Sequence, residues 1–149
     1  MPYGDLIQLN ERELSDVLAE MELPSNTHIR TVNFSRNEHY YCIIDKKHPT
    51  TIHSFKNFRY LKEIGIGRPV LLQVQYPKID CKNCHRIRSY DLGFLAPPGA
   101  GSTHRVRRTA VGLYLNMTLE KVSERMKMKY HVHVAPTTVH DWVNSTLGK

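Results

Sequence analysis

The 149-residue chain carries 21 Lys and Arg against 14 Asp and Glu, and a net charge of +7 points to a polyanionic partner, most simply nucleic acid. Its length allows one medium domain or two small ones, and 40% hydrophobic with 23% charged residues is ordinary for a soluble globular protein. No stretch approaches the roughly 18 consecutive apolar residues of a membrane span, and Met1, Pro2, Tyr3, Gly4 and Asp5 make neither a basic nor an apolar signal-peptide region.

Residues 1–24 predict a short helix. Asn10 and Glu13 make a capping-box-like start, Leu14, Val17, Leu18 and Met21 an apolar face, and Leu23 with Pro24 a stop. Its acids (Asp5, Glu11, Glu13, Asp16, Glu20 and Glu22) set it apart from the basic C-terminal region. Such a piece suits packing on the rest of the protein or on a second copy, which leaves a homodimer open.

From residue 27 to about residue 90 the period is two. Ile29, Thr31 and Asn33 alternate with Arg30, Val32 and Phe34, and 40–44, 51–55, 59–61 and 70–76 are further strand candidates. Residues 64–69, with Gly65 and Gly67, read as a turn joining two of them; the strand–loop–helix setting of a phosphate loop is missing. A β-rich unit of small hairpins needs a staple.

The staple is expected to be zinc. Cys81 and Cys84 have the C-x2-C knuckle spacing, in which a tight turn aims two thiolates at one tetrahedral ion. Cys42 is the natural third ligand, at the end of an earlier strand. For the fourth, Asp45 stands where a C-x2-C partner would be and His48 completes a C-x5-H alternative, with His53 and His85 near in sequence. Imidazole is the commoner structural ligand and the 45–49 loop can curl back, which favours His48; His53 reads as an ordinary strand histidine. An odd count of three cysteines with one close pair also fits a reduced compartment, so a cytoplasmic, nucleoid-associated protein is expected.

Residues 94–102 form a linker, stiffened by Pro97 and Pro98 and loosened by Gly99 and Gly101. Lys82, His85, Arg86 and Arg88 precede it and His104, Arg105, Arg107 and Arg108 follow, two cationic clusters that could straddle a phosphate backbone.

The last third predicts three helices. Val106, Ala110, Leu113, Tyr114 and Met117 share a face of the first, which starts near Thr103. In the second, Thr118 is the N-cap, Glu120 faces the helix dipole, and Leu119, Val122, Met126 and Tyr130 form the apolar stripe. His131 stands where a helix exits through a left-handed residue, a conformation histidine tolerates. In the third, Pro136 suits the first turn, and Val139, Trp142, Val143 and Leu147 recur at steps of three and four. Thr137, Thr138, His140, Asp141 and Asn144 fall off that stripe, short hydrogen-bonding side chains of the kind that read base edges in a major groove.

Residues 114–123 followed by 129–143 resemble the helix-turn-helix of insertion-sequence transposases, in which a Y-x-x-(x)-S/T-L-x-x-V/I helix precedes Y-G-V-x-V-S-x-S/T-T-V-x-x-W. Thr138, Val139 and Trp142 carry the match; His131 replaces the usual glycine and Ala135 the usual capping serine. Residues 79–86 resemble the second knuckle of the zinc-ribbon-like module that precedes it in that family, hydrophobic-x-C-x-x-C-x-R, while only Cys42 remains of the first knuckle.

These readings give an α+β chain: an N-terminal helix with a β-rich zinc-ribbon-like unit over 1–93, a linker over 94–102, and a helix-turn-helix over 103–149. The expected function is sequence-specific binding of double-stranded DNA. Thr137, Thr138, His140 and Asn144 would contact bases; Arg105, Arg107, Arg108 and Lys121 would contact the backbone. The resemblance implies recognition of transposon ends. The family's nuclease domain would begin where this sequence stops, so no catalysis is expected of it. The alternative is a free-standing transcription regulator, a repressor or antitoxin-like protein, on an operator. An adaptor whose β unit grips a protein partner, or an RNA binder, would be further readings; few aromatics on the basic faces argue against the last.

Overall fold

The computed structural model describes residues 11–35, 38–97 and 99–147. Its centre is a single strand, β3 (Val70–Cys81), with β2 (Thr50–Glu63) antiparallel along one edge. Along the other edge β1 (His28–Asn33) runs parallel to the first half of β3, and β4 (Arg86–Ser89) runs antiparallel to its last residues. Residues 70–75 are an unbroken buried run, so both faces of β3 are covered there, whereas 76–81 alternate. Pro77 has no N–H to give the ladder, and there β2 slips register: Ser54 faces Lys78 but Asn57 faces Tyr76.

The strand expectations need four corrections. Residues 40–44 are loop, because Cys42 is drawn into a side-chain cluster there instead of a ladder. The separate candidates 51–55 and 59–61 are one bulged strand of 14 residues. Hairpins alone do not make the sheet, since β1 pairs parallel to β3. The four-residue β4, too short to show a period, was not anticipated.

Helix α1 (Glu11–Glu20) closes as expected before Pro24. Glu22 turns left-handed at φ 58°, its N–H reaches Ala19 O at 3.1 Å, and the N–H of Leu23 reaches Leu18 O at 2.8 Å, so the orphan carbonyls are met. Leu18 is buried, and Leu14, Val17 and Met21 half-buried, on the predicted face. Asn10 and the side chain of Glu13 lie outside the described residues.

Helices α2 (His104–Tyr114), α3 (Leu119–Tyr130) and α4 (Pro136–Leu147) pack around Val106, Ala110, Val122, Met126, Val132, Val134 and Val139. Each fully buried valine or methionine among them stabilises by about 1.5–3 kcal/mol before the entropy of ordering is subtracted. The caps are those the sequence predicts: Thr118 accepts from Lys121 N–H, and His131 leaves α3 at φ 58°, ψ 33° with its N–H on Met126 O. Tyr114 departs from its predicted stripe and is exposed, because α2 ends there.

Residues 94–102, expected as a linker, are tied to the sheet. Arg59 donates to Pro97 O at 2.7 Å and Ala100 O at 2.9 Å, and Ala96 is fully buried beside Leu61, Leu72 and Val74. The joint to the helices is polar and buried: Glu63 Oε1 accepts from Thr103 Oγ1 at 2.8 Å and from Ile64 N–H at 2.8 Å. Thr103 also caps α2, accepting from Val106 N–H. At about 3.3 Å per residue, β3 puts the helices and the Cys81 end of the sheet roughly 35–40 Å apart.

Candidate metal centre and exposed helix face

Four ligand atoms converge at the far end of β3. Cys81 closes the strand, and a two-residue turn brings Cys84 back, its N–H 3.4 Å from Cys81 Sγ. His85 takes a left-handed φ of 53° to start β4, the place in a knuckle where a glycine would be least strained. From the loop between β1 and β2 come Cys42 and His48. Cys42 Sγ is 3.8 Å from Cys84 Sγ, while His48 Nδ1 is 3.6 Å from Cys81 Sγ and 3.5 Å from Cys84 Sγ. All four atoms lie within 4.8 Å of one another.

The donor set fits a tetrahedral ion. Metal–sulfur bonds of about 2.3 Å and metal–nitrogen bonds of about 2.0 Å imply tetrahedral edges of about 3.8 Å between sulfurs and about 3.5 Å between sulfur and nitrogen. The Cys42–Cys84 separation and the two from His48 to Cys81 and Cys84 match those edges. The fourth position, open between His48 and Asp45 in the sequence, goes to His48. Asp45 stands outside: its Oδ2 is 3.8 Å from His48 Nε2, the ring nitrogen other than the one that faces Cys81 and Cys84, and too far for a hydrogen bond. Its backbone has a separate task. Hydrogen bonding from the Asp45 and then the Ile44 backbone lowers the Cys42 thiol to about 6 against an opposing burial penalty. Cys84 goes the other way, to about 11, through its hydrogen bond with Cys81, burial and the neighbouring Cys42. The two sulfurs are thus displaced in opposite directions, Cys42 toward the thiolate and Cys84 toward the thiol. His53 and His85 are exposed and outside the cluster.

No protein-family model, no curated protein and no solved structure matches the chain.

The residues expected at nucleic acid sit at the opposite end. On α4, Val139 is fully buried and Trp142 and Val143 pack on the helical core, whereas Thr137, His140, Asp141 and Asn144 are exposed and Thr138 is half-buried. Asn144 Nδ2 lies 3.4 Å from His140 Nδ1, so two of the polar side chains form a ladder along the outer face. Arg105, Arg108 and Lys121 are exposed cations. Arg107 is half-buried and donates to Ser145 Oγ, bracing the last turns of α4 against α2. Sequence reasoning missed Glu63 and Gly65, which join sheet to helices; a charged residue near a strand end gives no local sign that it faces inward.

Proposed function

We propose that the protein binds double-stranded DNA sequence-specifically, with α3 and α4 as a helix-turn-helix and α4 entering the major groove. The observation that carries this reading is the division of α4, apolar side sealed against α2 and α3 and polar side open to solvent. Thr137, His140 and Asn144 are the base contacts, and the half-buried Thr138 touches bases only at its edge. Arg105, Arg108 and Lys121 hold phosphates; Arg107 acts mainly by positioning α4. The likeness to insertion-sequence transposases supports an element terminus as the target.

The ion is zinc in this reading. Three thiolates and one imidazole make a closed set with no open position, which suits a structural cross-link. When bound it staples the 42–48 loop to the β3–β4 turn.

The test is selection of bound duplexes from a random pool, with metal analysis of the purified protein. The expected result is one zinc per chain and a defined motif whose discrimination relaxes by about 1–3 kcal/mol at one base position in Asn144→Ala. No enrichment of any duplex at low salt would overturn the reading. An asymmetric motif fits an element end; a palindrome with half-sites about one helical turn apart fits an operator.

A further inference from the structure

Resting on the duplex-binding reading, we propose that the β2–β3 hairpin tip, residues 64–69, is a second DNA contact: a thin arm for the minor groove of an A·T-rich segment flanking the site that α4 reads. Gly65 N–H donates to Tyr130 O at 2.8 Å, and Tyr130 is the last residue of α3. Ile64 packs on the helical core. The tip therefore leaves the molecule beside the 131–135 turn that leads into Pro136, the end of α4 that enters a groove first. The contact demands glycine, since a Cβ on Gly65 would stand 2.2 Å from Arg68 O and 3.1 Å from Tyr130 O.

The rest of the tip faces outward. Ile66 is 93% exposed, although β-branched apolar residues usually bury. Gly67 stands in open space at φ 79°. Arg68 is exposed and forms no ion pair among the described residues; its guanidinium lies 3.3 Å from His28 Nδ1, at another exposed side chain. The shape suits a narrow slot. The B-DNA minor groove is about 6 Å wide, and glycines on both sides of Ile66 keep the chain slim. Narrow A·T grooves concentrate negative potential that draws arginine, and an isoleucine can wedge against an unstacked base step.

The experiment uses the full chain and a selected duplex with one of three flanks: A·T pairs, G·C pairs, or inosine·C pairs. Inosine·C keeps the minor-groove face of A·T, whereas G·C adds the guanine amino group. Wild type should lose about tenfold affinity on the G·C flank and recover it on the inosine·C flank. Arg68→Ala and Ile66→Ala, both at exposed positions and expected to melt like wild type, should bind all three flanks alike. Arg68→Ala should also flatten the salt dependence by about one unit of slope. Indifference of wild type to the flank, or a preference retained in Arg68→Ala, overturns this inference while the α4 reading stands. Absence of any selected duplex removes both.

Discussion

At one end of the β2–β3 hairpin the chain is gathered by four ligand atoms; at the other it is gathered by seven buried apolar side chains and a glycine backbone contact. The metal end has its own small aromatic cluster, Tyr40 with Phe34, Phe55 and Tyr90, but this anchors only the start of the loop. Beyond it Tyr41, Ile43 and Ile44 are exposed, so the segment carrying Cys42 and His48 buries little apolar surface. Hydrophobic burial grows with the number of side chains that share an interior, and residues 41–48, outside any helix or strand, do not supply them. The helical end can, because three amphipathic stripes face one another. One end is therefore held by little apolar burial, the other by much.

Breaking a ligand should give the largest effect and the sharpest separation of the two ends. Cys81→Ser or Cys84→Ser is expected to abolish stoichiometric metal uptake and to open the 39–48 loop, as would a chelator on the native chain. Hydrogen exchange checks this: amides of 39–48 and 82–86 should lose protection while those of α2, α3 and α4 keep theirs. Equal loss at both ends would mean that the hairpin transmits the damage and the separation is false. The pH dependence follows from the two displaced thiols. Cys84, held up to about 11, is protonated through the neutral range, so binding an ion expels its proton and affinity rises with pH. Cys42, held down to about 6, releases a proton on binding only when the pH falls below that value, and adds to the slope only there. Calorimetry in buffers of different protonation enthalpy would count these protons; a count that ignores Cys84 at neutral pH would refute the assignment.

The converse change is Met126→Ala. Met126 is fully buried at the meeting point of the helices, and truncation there should cost about 2–5 kcal/mol in denaturant unfolding. Metal content should be unchanged, since no ligand touches that core. Between the two ends, Thr103→Ala removes both the cap of α2 and the donor to the buried Glu63, and should cost about 1–3 kcal/mol. If it costs nothing, the polar joint is not what binds the helices to the sheet.

These regions were unequally legible in the sequence. Knuckle spacing and helix stripes are local patterns, and they put Cys81 and Cys84 in the four-residue cluster, Thr118 at its cap, and Val122, Met126 and Val139 in the core. The same local rules misled at 40–44, where an aromatic and β-branched run satisfies strand chemistry but the clustered cysteine in its middle belongs to a loop. Spacing could not choose between Asp45 and His48, because both follow Cys42 within one loop and only the position of the β3–β4 turn decides. The parallel partnership of β1 with β3 was hidden for a related reason: it joins segments about 40 residues apart, and nothing in either records the other. Glu63 and Gly65 look like ordinary turn-flanking residues until Thr103 and Tyr130 arrive beside them.

The smallest effect concerns His131, where the resembled family carries glycine. At φ 58° a Cβ is crowded by the backbone, so His131→Gly relieves strain of about 1–2 kcal/mol at the exit of α3. Glycine also gains freedom in the unfolded chain, which offsets about 0.5–1 kcal/mol of that relief. The net should be a stabilisation of about 0.5 kcal/mol, seen as a small rise in the midpoint of urea unfolding at unchanged m-value. A loss instead would mean that the half-buried imidazole contributes contacts exceeding the relief of strain, and that the turn into α4 is held by the side chain as well as by the backbone bonds of His131 and Val132 to Met126 O.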